Sequence, residues 1–370
     1  MAMTIGGVCG LLKPPLVAWH HATRNNTYLC TQSRRASQPY PNLRRRRQLQ
    51  QSWRVTNSSI NAHSKEEAAR LIWRAVKLPI YSVALVPLTV GSATAYLQMR
   101  TFDAGRFCLF LFSSVLIIMW LNLSNDVYDF DTGADKDKKE SVVNITGSRS
   151  GVLYMAYICL VIGCGGLLWG SMQAGDGRVF SLLASAILCG YVYQCPPCRL
   201  SYLGLGEPLC FAAFGPLATS AFYFSQSSKS QTGSLPFSIT VLCVSILIGI
   251  TTTLILFCSH FHQIDGDREV GKMSPLVRMG TERGSVVVKY GVVSLYLLLL
   301  AFVASKALPL PCLFFPSLTL PVGKLVIDFV QENHNDKETV FMAKYYCVRL
   351  HALFGAALAL GLFSARTIRL

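Results

Sequence analysis

The sequence predicts an all-α, polytopic membrane protein with about nine transmembrane helices. Three observations carry this reading. Of 370 residues, 52% are hydrophobic and only 14% are charged. The apolar residues collect into runs approaching the ~20 that a bilayer core demands of one helix. The basic residues between those runs fall mostly on one side. The thirteen cysteines do not argue for a disulfide scaffold. Most of them, such as Cys159, Cys164, Cys189, Cys243 and Cys258, sit inside apolar runs and read as small buried hydrophobes. The CPPC at Cys195 to Cys198 imitates a redox pair, but it follows an apolar run rather than a βαβ pattern, so redox chemistry is not expected.

Residues 1–65 hold ten Lys and Arg, no Asp or Glu, and much Ser, Asn and Gln. A basic, hydroxylated, acid-free leader is the composition of an organelle transit peptide. Residues 1–63 are assigned to it and 64–370 to the membrane domain. A basic tail for anionic lipid or nucleic acid is the plainer reading of the same charge, but no nucleic-acid partner is expected. The stretch LLKPPLVAW is too short and too broken by proline for a secretory signal.

Hydropathy then places spans near 79–97, 106–124, 151–170, 179–195, 203–223, 237–259, 285–305, 307–327 and 349–365. The eighth is interrupted by Pro309, Pro311, Pro316 and Pro321. Residues 328–348 read as a polar connection, a helix lying at the interface. Spans 2, 4, 6 and 8 all end on the side where the chain enters. Connections there carry thirteen Lys and Arg, from Lys136 to Arg349, and Arg70, Arg74 and Lys77 precede the first span. The opposite side carries seven. The positive-inside rule puts the basic side in the cytosol or its organellar equivalent, a stroma or matrix.

Two acidic clusters emerge on that basic side. The first is LNLSNDVYDFDTGADKDKKES, from Leu121; the second is CSHFHQIDGDREVGKMSPLVRMGTERG, from Cys258. At ~100° per residue, Asn122, Asn125, Asp126 and Asp129 form one polar stripe and His260, Gln263 and Asp267 another. Asp131 and Asp265 fall outside the stripes and read as bystanders, unless Gly266 breaks the helix and turns Asp265 inward in place of the carboxylate that Gln263 lacks. Polar stripes at the ends of membrane helices face a protein interior or a wet cavity, not lipid.

Hard carboxylate oxygens suit Mg²⁺, with Mn²⁺ as a substitute, and Mg²⁺ is commonly completed by substrate phosphates. Nearby Lys272, Arg149, Arg278 and Lys138 supply charge for an anion. Apolar helices below offer room for a hydrocarbon tail. Together they point to a lipid diphosphate. A Ca²⁺ loop is disfavoured, because no Glu stands twelfth from Asp126 or Asp129, and His260 and His262 lack zinc-helix spacing.

NDVYD at Asn125 to Asp129, followed by Gly133 and Asp135, resembles the first aspartate-rich motif of the UbiA superfamily of intramembrane prenyltransferases. DREVGK at Asp267 to Lys272 resembles the end of the second motif. A third stretch, YLGLGE at Tyr202 to Glu207 with FGP at Phe214 to Pro216, is similar to the 1,4-dihydroxy-2-naphthoate prenyltransferases of menaquinone and phylloquinone synthesis. The transit-like leader fits the chloroplast phytyl-transferring members. The resemblance spans about residues 70–365 and implies nine helices around a central cavity.

It further implies Mg²⁺ on Asp126, Asp129 and Asp267, with Lys272 and Arg149 assisting departure of diphosphate. Asn122, Asn125, Asp135, Tyr202, His260, Gln263 and Arg268 would line the substrate site. Tyr193 and Tyr128 are candidates to shelter an allylic cation, and Glu207 to orient the aromatic acceptor. The partners implied are phytyl or another prenyl diphosphate, dihydroxynaphthoate and the lipid bilayer. The location implied is a chloroplast membrane, with the site toward the stroma. One departure stands out: Gln263 occupies a position where the second motif usually has Asp. Alternatives are a homogentisate or chlorophyllide prenyltransferase, which would not be expected to carry GLGE and FGP, and a transporter, which would bury charge mid-span. A structural membrane protein with a solvated acidic loop gives no reason for two stripes on one side.

Overall fold

A computed structural model describes residues 81–100, 102–134, 141–226 and 236–368; the leader, Lys138 and Asp135 lie outside the described residues. The described residues are helical and contain no strand. In chain order they form α1 (Ser82–Met99), α2 (Ala104–Thr132), α3 (Val142–Thr146), α4 (Arg149–Ala174) and α5 (Gly177–Gln194). Then come α6 (Gly206–Ala212), a π turn (Ala213–Thr219), α7 (Ser220–Ser225), α8 (Ile239–Ser259) and α9 (Ile264–Glu269). The remainder is α10 (Pro275–Met279), α11 (Thr281–Ala304), α12 (Pro311–Ser317), α13 (Leu320–Asn333), α14 (Lys337–Val340) and α15 (Ala343–Ile368).

The helices start where polar side chains can satisfy free backbone N–H groups. Asp103 accepts from Arg106 N at 2.9 Å, Ser148 from Gly151 N at 3.2 Å and Asp176 from Arg178 N at 3.0 Å. These caps sit at the ends of long apolar rods, where the chain turns back. At Asp176, the hydrogen-bonded Arg178 guanidinium and then its backbone N–H hold the carboxyl below the usual range, against the opposing effect of burial.

Among the described residues, five segments are long and apolar enough to cross a membrane: α2, α4, Ile239–Glu269, α11 and Lys337–Thr367. The pair α12 and α13, bent by 45°, makes a sixth if counted as one span. The expected count of nine is therefore not confirmed. α1 and α5 have 18 residues each but carry several polar side chains within that length, such as Thr89, Ser92, Thr94 and Gln98 in α1 and Arg178, Ser181, Ser185 and Gln194 in α5, and the α6–α7 rod is interrupted by its π turn. Two boundaries also differ from expectation. α2 runs on to Thr132 instead of ending near 124, because its polar stripe has a protein wall to face. The supposed interfacial connection 328–348 is mostly the end of α13 and the start of α15, and it buries Val330, Val340 and Ala343.

Among the described residues two large apolar cores result, with a small third cluster of Val127, Val143 and Val152. One gathers α1, α8, α11 and α15, with Leu247, Ile248, Leu295 and Phe354 fully buried. The other gathers α2, α4, α5 and α7, with Phe110, Ala156 and Phe222. Both contribute walls to one cavity of about 300 Å³.

The FGP motif belongs to this framework. Proline inside an α-helix clashes with the carbonyl four residues back. The wider π turn around Pro216 relieves that clash, and the Thr219 hydroxyl donates to Phe214 O at 2.9 Å. Gly215 lets the turn press directly on the α8 backbone. A Cβ there would stand 2.6 Å from Ser245 O and 2.8 Å from Gly249 Cα, and backbone cannot swing aside. Gly215→Ala is therefore expected to destabilise the folded protein by about 1–3 kcal/mol, seen as a lower midpoint in thermal unfolding of the detergent-solubilised chain.

Candidate active site

The cavity has two characters. Along α2 its wall runs from Asp129 through Asn125, Asn122 and Ile118 to Ser114, a drop of about 22 Å at 1.5 Å per residue. Its deep part is lined by Ile117, Leu167, Leu183, Ala218 and Phe222. Its other end is polar, with Asp129, Tyr193, His260, Gln263, Lys272 and Lys344.

The polar end is organised around a buried lysine. Lys272 Nζ lies 3.3 Å from Asp267 Oδ1 and 6.0 Å from the Tyr202 ring. Burial opposes its charge, but Asp129, then Tyr193 and Asp267, outweigh burial and raise its pKa. It is a fixed cation at neutral pH. Asp129 accepts from Asn125 Nδ2 at 2.8 Å. Asp267 Oδ2 is buried with no hydrogen-bond partner, so one carboxylate oxygen is left for a ligand.

Backbone and side-chain bonds tie the three motif regions together. Lys272 N donates to Asp267 O at 2.7 Å, and Met273 N to Tyr202 O at 3.0 Å. Arg278 donates to Leu203 O at 2.9 Å and to Met273 O at 3.1 Å. Tyr202 donates to Thr132 Oγ1 at 3.0 Å, which reaches back to the end of α2. Gly204, at φ 78°, makes this crossing possible, because a Cβ there would meet Met273 O at 2.8 Å. On the adjacent wall His260 Nδ1 lies 3.1 Å from Glu207 Oε1, both side chains buried.

Several expected site residues stand elsewhere. The Asp126 carboxylate accepts from Val142 N at 3.0 Å, behind the cavity wall, and so helps start α3. It lay at the edge of its stripe on the helical wheel. Arg149 pairs in a bidentate manner with Asp131 at 2.6 and 2.9 Å on the exposed outer face rather than facing the cavity. Arg268 is exposed, and Asp265 lies 3.9 Å from Lys337 in an exposed pair. Tyr128 packs against the second core and not the cavity. Tyr202 braces the loops next to Lys272, and Glu207 reaches the cavity only through His260.

Two basic lining residues, Lys344 and His262, escaped the sequence reading. Lys344 lies over the Phe341 ring at 3.8 Å, and His262 packs edge-on against the same ring with centroids 4.9 Å apart. A signal existed: Lys344, Cys347 and His351 recur at helical spacing, and all three are buried.

The residues available to Mg²⁺ also fit a particular mode of binding. Among the described residues no three His, Cys, Asp or Glu converge to cage a metal. Mg²⁺ commonly takes one or two carboxylates and completes its shell with water and substrate phosphate. Asp129 and the unpartnered oxygen of Asp267 offer that partial set.

Comparison with known proteins decides the lineage. The UbiA prenyltransferase family profile matches residues 84–348. The chain belongs to the UbiA prenyltransferase family. Within that family it is 63% identical over 298 residues to the Arabidopsis thaliana chloroplastic 2-carboxy-1,4-naphthoquinone phytyltransferase, covering 80% of this chain and 78% of the relative. It is 44% identical over 308 residues to the Synechocystis enzyme of the same name, covering 83% and 98%. The apo structure of a UbiA homologue from Aeropyrum pernix K1 superimposes with a TM-score of 0.59 at 14% identity, over 77% of this chain and 98% of that one. That match shows that the UbiA fold is shared.

The geometry sorts the acids. Asp129→Asn and Asp267→Asn are each expected to cut turnover at least a hundredfold, on the order of 3 kcal/mol in barrier. Asp131→Asn and Asp265→Asn should stay within about tenfold, and Asp126→Asn should fall between the two groups. Initial rates of prenyl transfer in membranes, normalised to folded protein, check the order.

Proposed function

We propose that this chain transfers a phytyl group from phytyl diphosphate to 1,4-dihydroxy-2-naphthoate, with loss of carbon dioxide, in phylloquinone biosynthesis. One observation carries the reading. A single cavity has Asp129 and a buried cation, Lys272, itself paired with Asp267, at one end and apolar walls below. That is the shape and polarity of a prenyl diphosphate. The names of the two relatives above support the phytyl donor and the naphthalene acceptor. The chloroplast is the proposed location, with the polar end toward the stroma and residues 1–63 as the transit peptide.

The residues would divide the work as follows. Lys272 pairs with the diphosphate and neutralises charge as the carbon–oxygen bond breaks. Asp129 and Asp267 would hold Mg²⁺, which supplies further charge neutralisation for the leaving group. Asn122 and Asn125 from α2, and Gln263 from the turn after α8, line the cavity and can hydrogen-bond phosphate oxygens. The apolar walls hold the chain and exclude water from the allylic carbon. Tyr193, whose ring packs on Gly206, presents an aromatic ring beside the cavity for the cation.

The electron-rich hydroquinone ring attacks that carbon, and the carboxylate leaves as carbon dioxide. The relatives' name gives the acceptor in its quinone form, which is electron-poor. The hydroquinone is the form that this chemistry can use.

A direct assay checks both halves. Membranes containing the protein, phytyl diphosphate and Mg²⁺ should prenylate dihydroxynaphthoate under anaerobic conditions. They should leave the oxidised naphthoquinone acid unchanged until a reductant is added. EDTA should abolish turnover, and excess Mg²⁺ should restore it. Equal rates with both redox forms, or full activity in EDTA, would contradict the mechanism.

A further inference from the structure

The diphosphate end accounts for Asp129, Asp267 and Lys272, and the apolar depth accounts for the chain. Neither accounts for Glu207 and His260. These two side chains are buried beside the cavity, 3.1 Å apart through Glu207 Oε1 and His260 Nδ1. Glu207 Oε2 is buried with no hydrogen-bond partner. A tie between α6 and the end of α8 needs no carboxylate, but an amide could donate to the ring as readily as accept from it, so only a carboxylate both keeps the proton on Nδ1 and stabilises the ring once it takes a second. His260 lines the cavity, whereas Glu207 stands behind it. With Nδ1 turned to the carboxylate, the ring is held with its proton on that nitrogen and its Nε2 lone pair free to accept another.

We propose that His260 is the base that takes the ring hydroxyl proton of the aromatic acceptor, and that Glu207 is the positioning residue that fixes its tautomer. This rests on the naphthoate-transfer reading above. The step balances without a co-reactant. His260 Nε2 takes the hydroxyl proton adjacent to the carboxylate-bearing carbon. That carbon bonds to the allylic carbon, whose bond to diphosphate oxygen breaks, and the ring oxygen becomes a carbonyl. The carbon–carboxylate bond then breaks, its electron pair returns to the ring, and carbon dioxide departs. The ring oxygen regains its proton from His260. The acceptor class that this wall recognises is a hydroxylated aromatic acid in its reduced form. A quinone has no such proton to give.

The test compares full-length His260→Ala and the isosteric Glu207→Gln in membranes with Mg²⁺, phytyl diphosphate and dihydroxynaphthoate. Prenylated product and free phytol are measured separately. His260→Ala is expected to lower kcat for transfer about a hundredfold, and Glu207→Gln about tenfold. KM for phytyl diphosphate should stay within about threefold, and a larger share of consumed donor should end as phytol. Added imidazole should restore transfer in His260→Ala and leave Glu207→Gln unchanged, which a purely structural role would not produce. Transfer undiminished in His260→Ala overturns the role of the pair alone. So does a parallel fall of transfer and phytol release in both variants with no imidazole rescue. A wild-type protein that consumes phytyl diphosphate yet never prenylates the naphthoate overturns the functional reading itself.

Discussion

A buried cation beside carboxylates is the constraint on which the rest of the structure depends. Taking Lys272 out of water is costly unless opposite charge surrounds it. Asp267 at 3.3 Å and the nearby Asp129 supply that charge. They come from two helices far apart in sequence, so the bundle must bring the ends of α2 and α9 together. The Tyr202, Met273 and Arg278 hydrogen bonds then lock the intervening loops at the same level. The arrangement is balanced for the protein alone, yet it leaves Asp267 Oδ2 unpartnered. An unsatisfied oxygen next to a buried cation is the arrangement that the proposed reaction would use for a ligand carrying both metal and phosphate.

Much of this was legible in the sequence, and for simple reasons. Apolar run length reports helix position directly, so most rods stand close to where hydropathy puts them. The wheel separates Asp129 and Asp267 from Asp131 and Asp265, because helical period decides which face a side chain takes. It failed at the edges. Asp126 lies 60° from Asp129 on an ideal wheel, near enough to count as stripe but far enough to turn toward Val142. Arg149 was assigned by charge alone, and charge does not say which carboxylate is nearer; Asp131 is. Lys344 was missed because the polar stretch before it hid the start of α15. The GLGE motif pointed to Glu207 without showing that its contact with the cavity runs through His260.

The two polar features of the cavity imply a division of labour. One end is strongly charged, and in the proposed reaction it would handle the departing diphosphate. The adjacent wall carries a single His–Glu pair suited to moving one proton. The apolar depth between α2, α4, α5 and the π turn has no chemistry of its own, but it sets how much hydrocarbon can enter. The FGP segment serves this purpose: its π turn puts Ala218, and α7 just after it Phe222, on the cavity wall while Gly215 keeps α8 close.

The most direct test of this account is donor discrimination after filling the deep end. Ala218→Phe adds bulk far from Asp129 and Lys272, on the wall assigned to the hydrocarbon chain. The quantity to measure is the ratio of kcat/KM for phytyl diphosphate to that for dimethylallyl diphosphate, with the same acceptor. The ratio should fall at least tenfold, about 1.4 kcal/mol of lost transition-state binding, with the short donor nearly unaffected. A ratio equal to that of the wild-type protein would show that the hydrocarbon chain does not occupy this cavity.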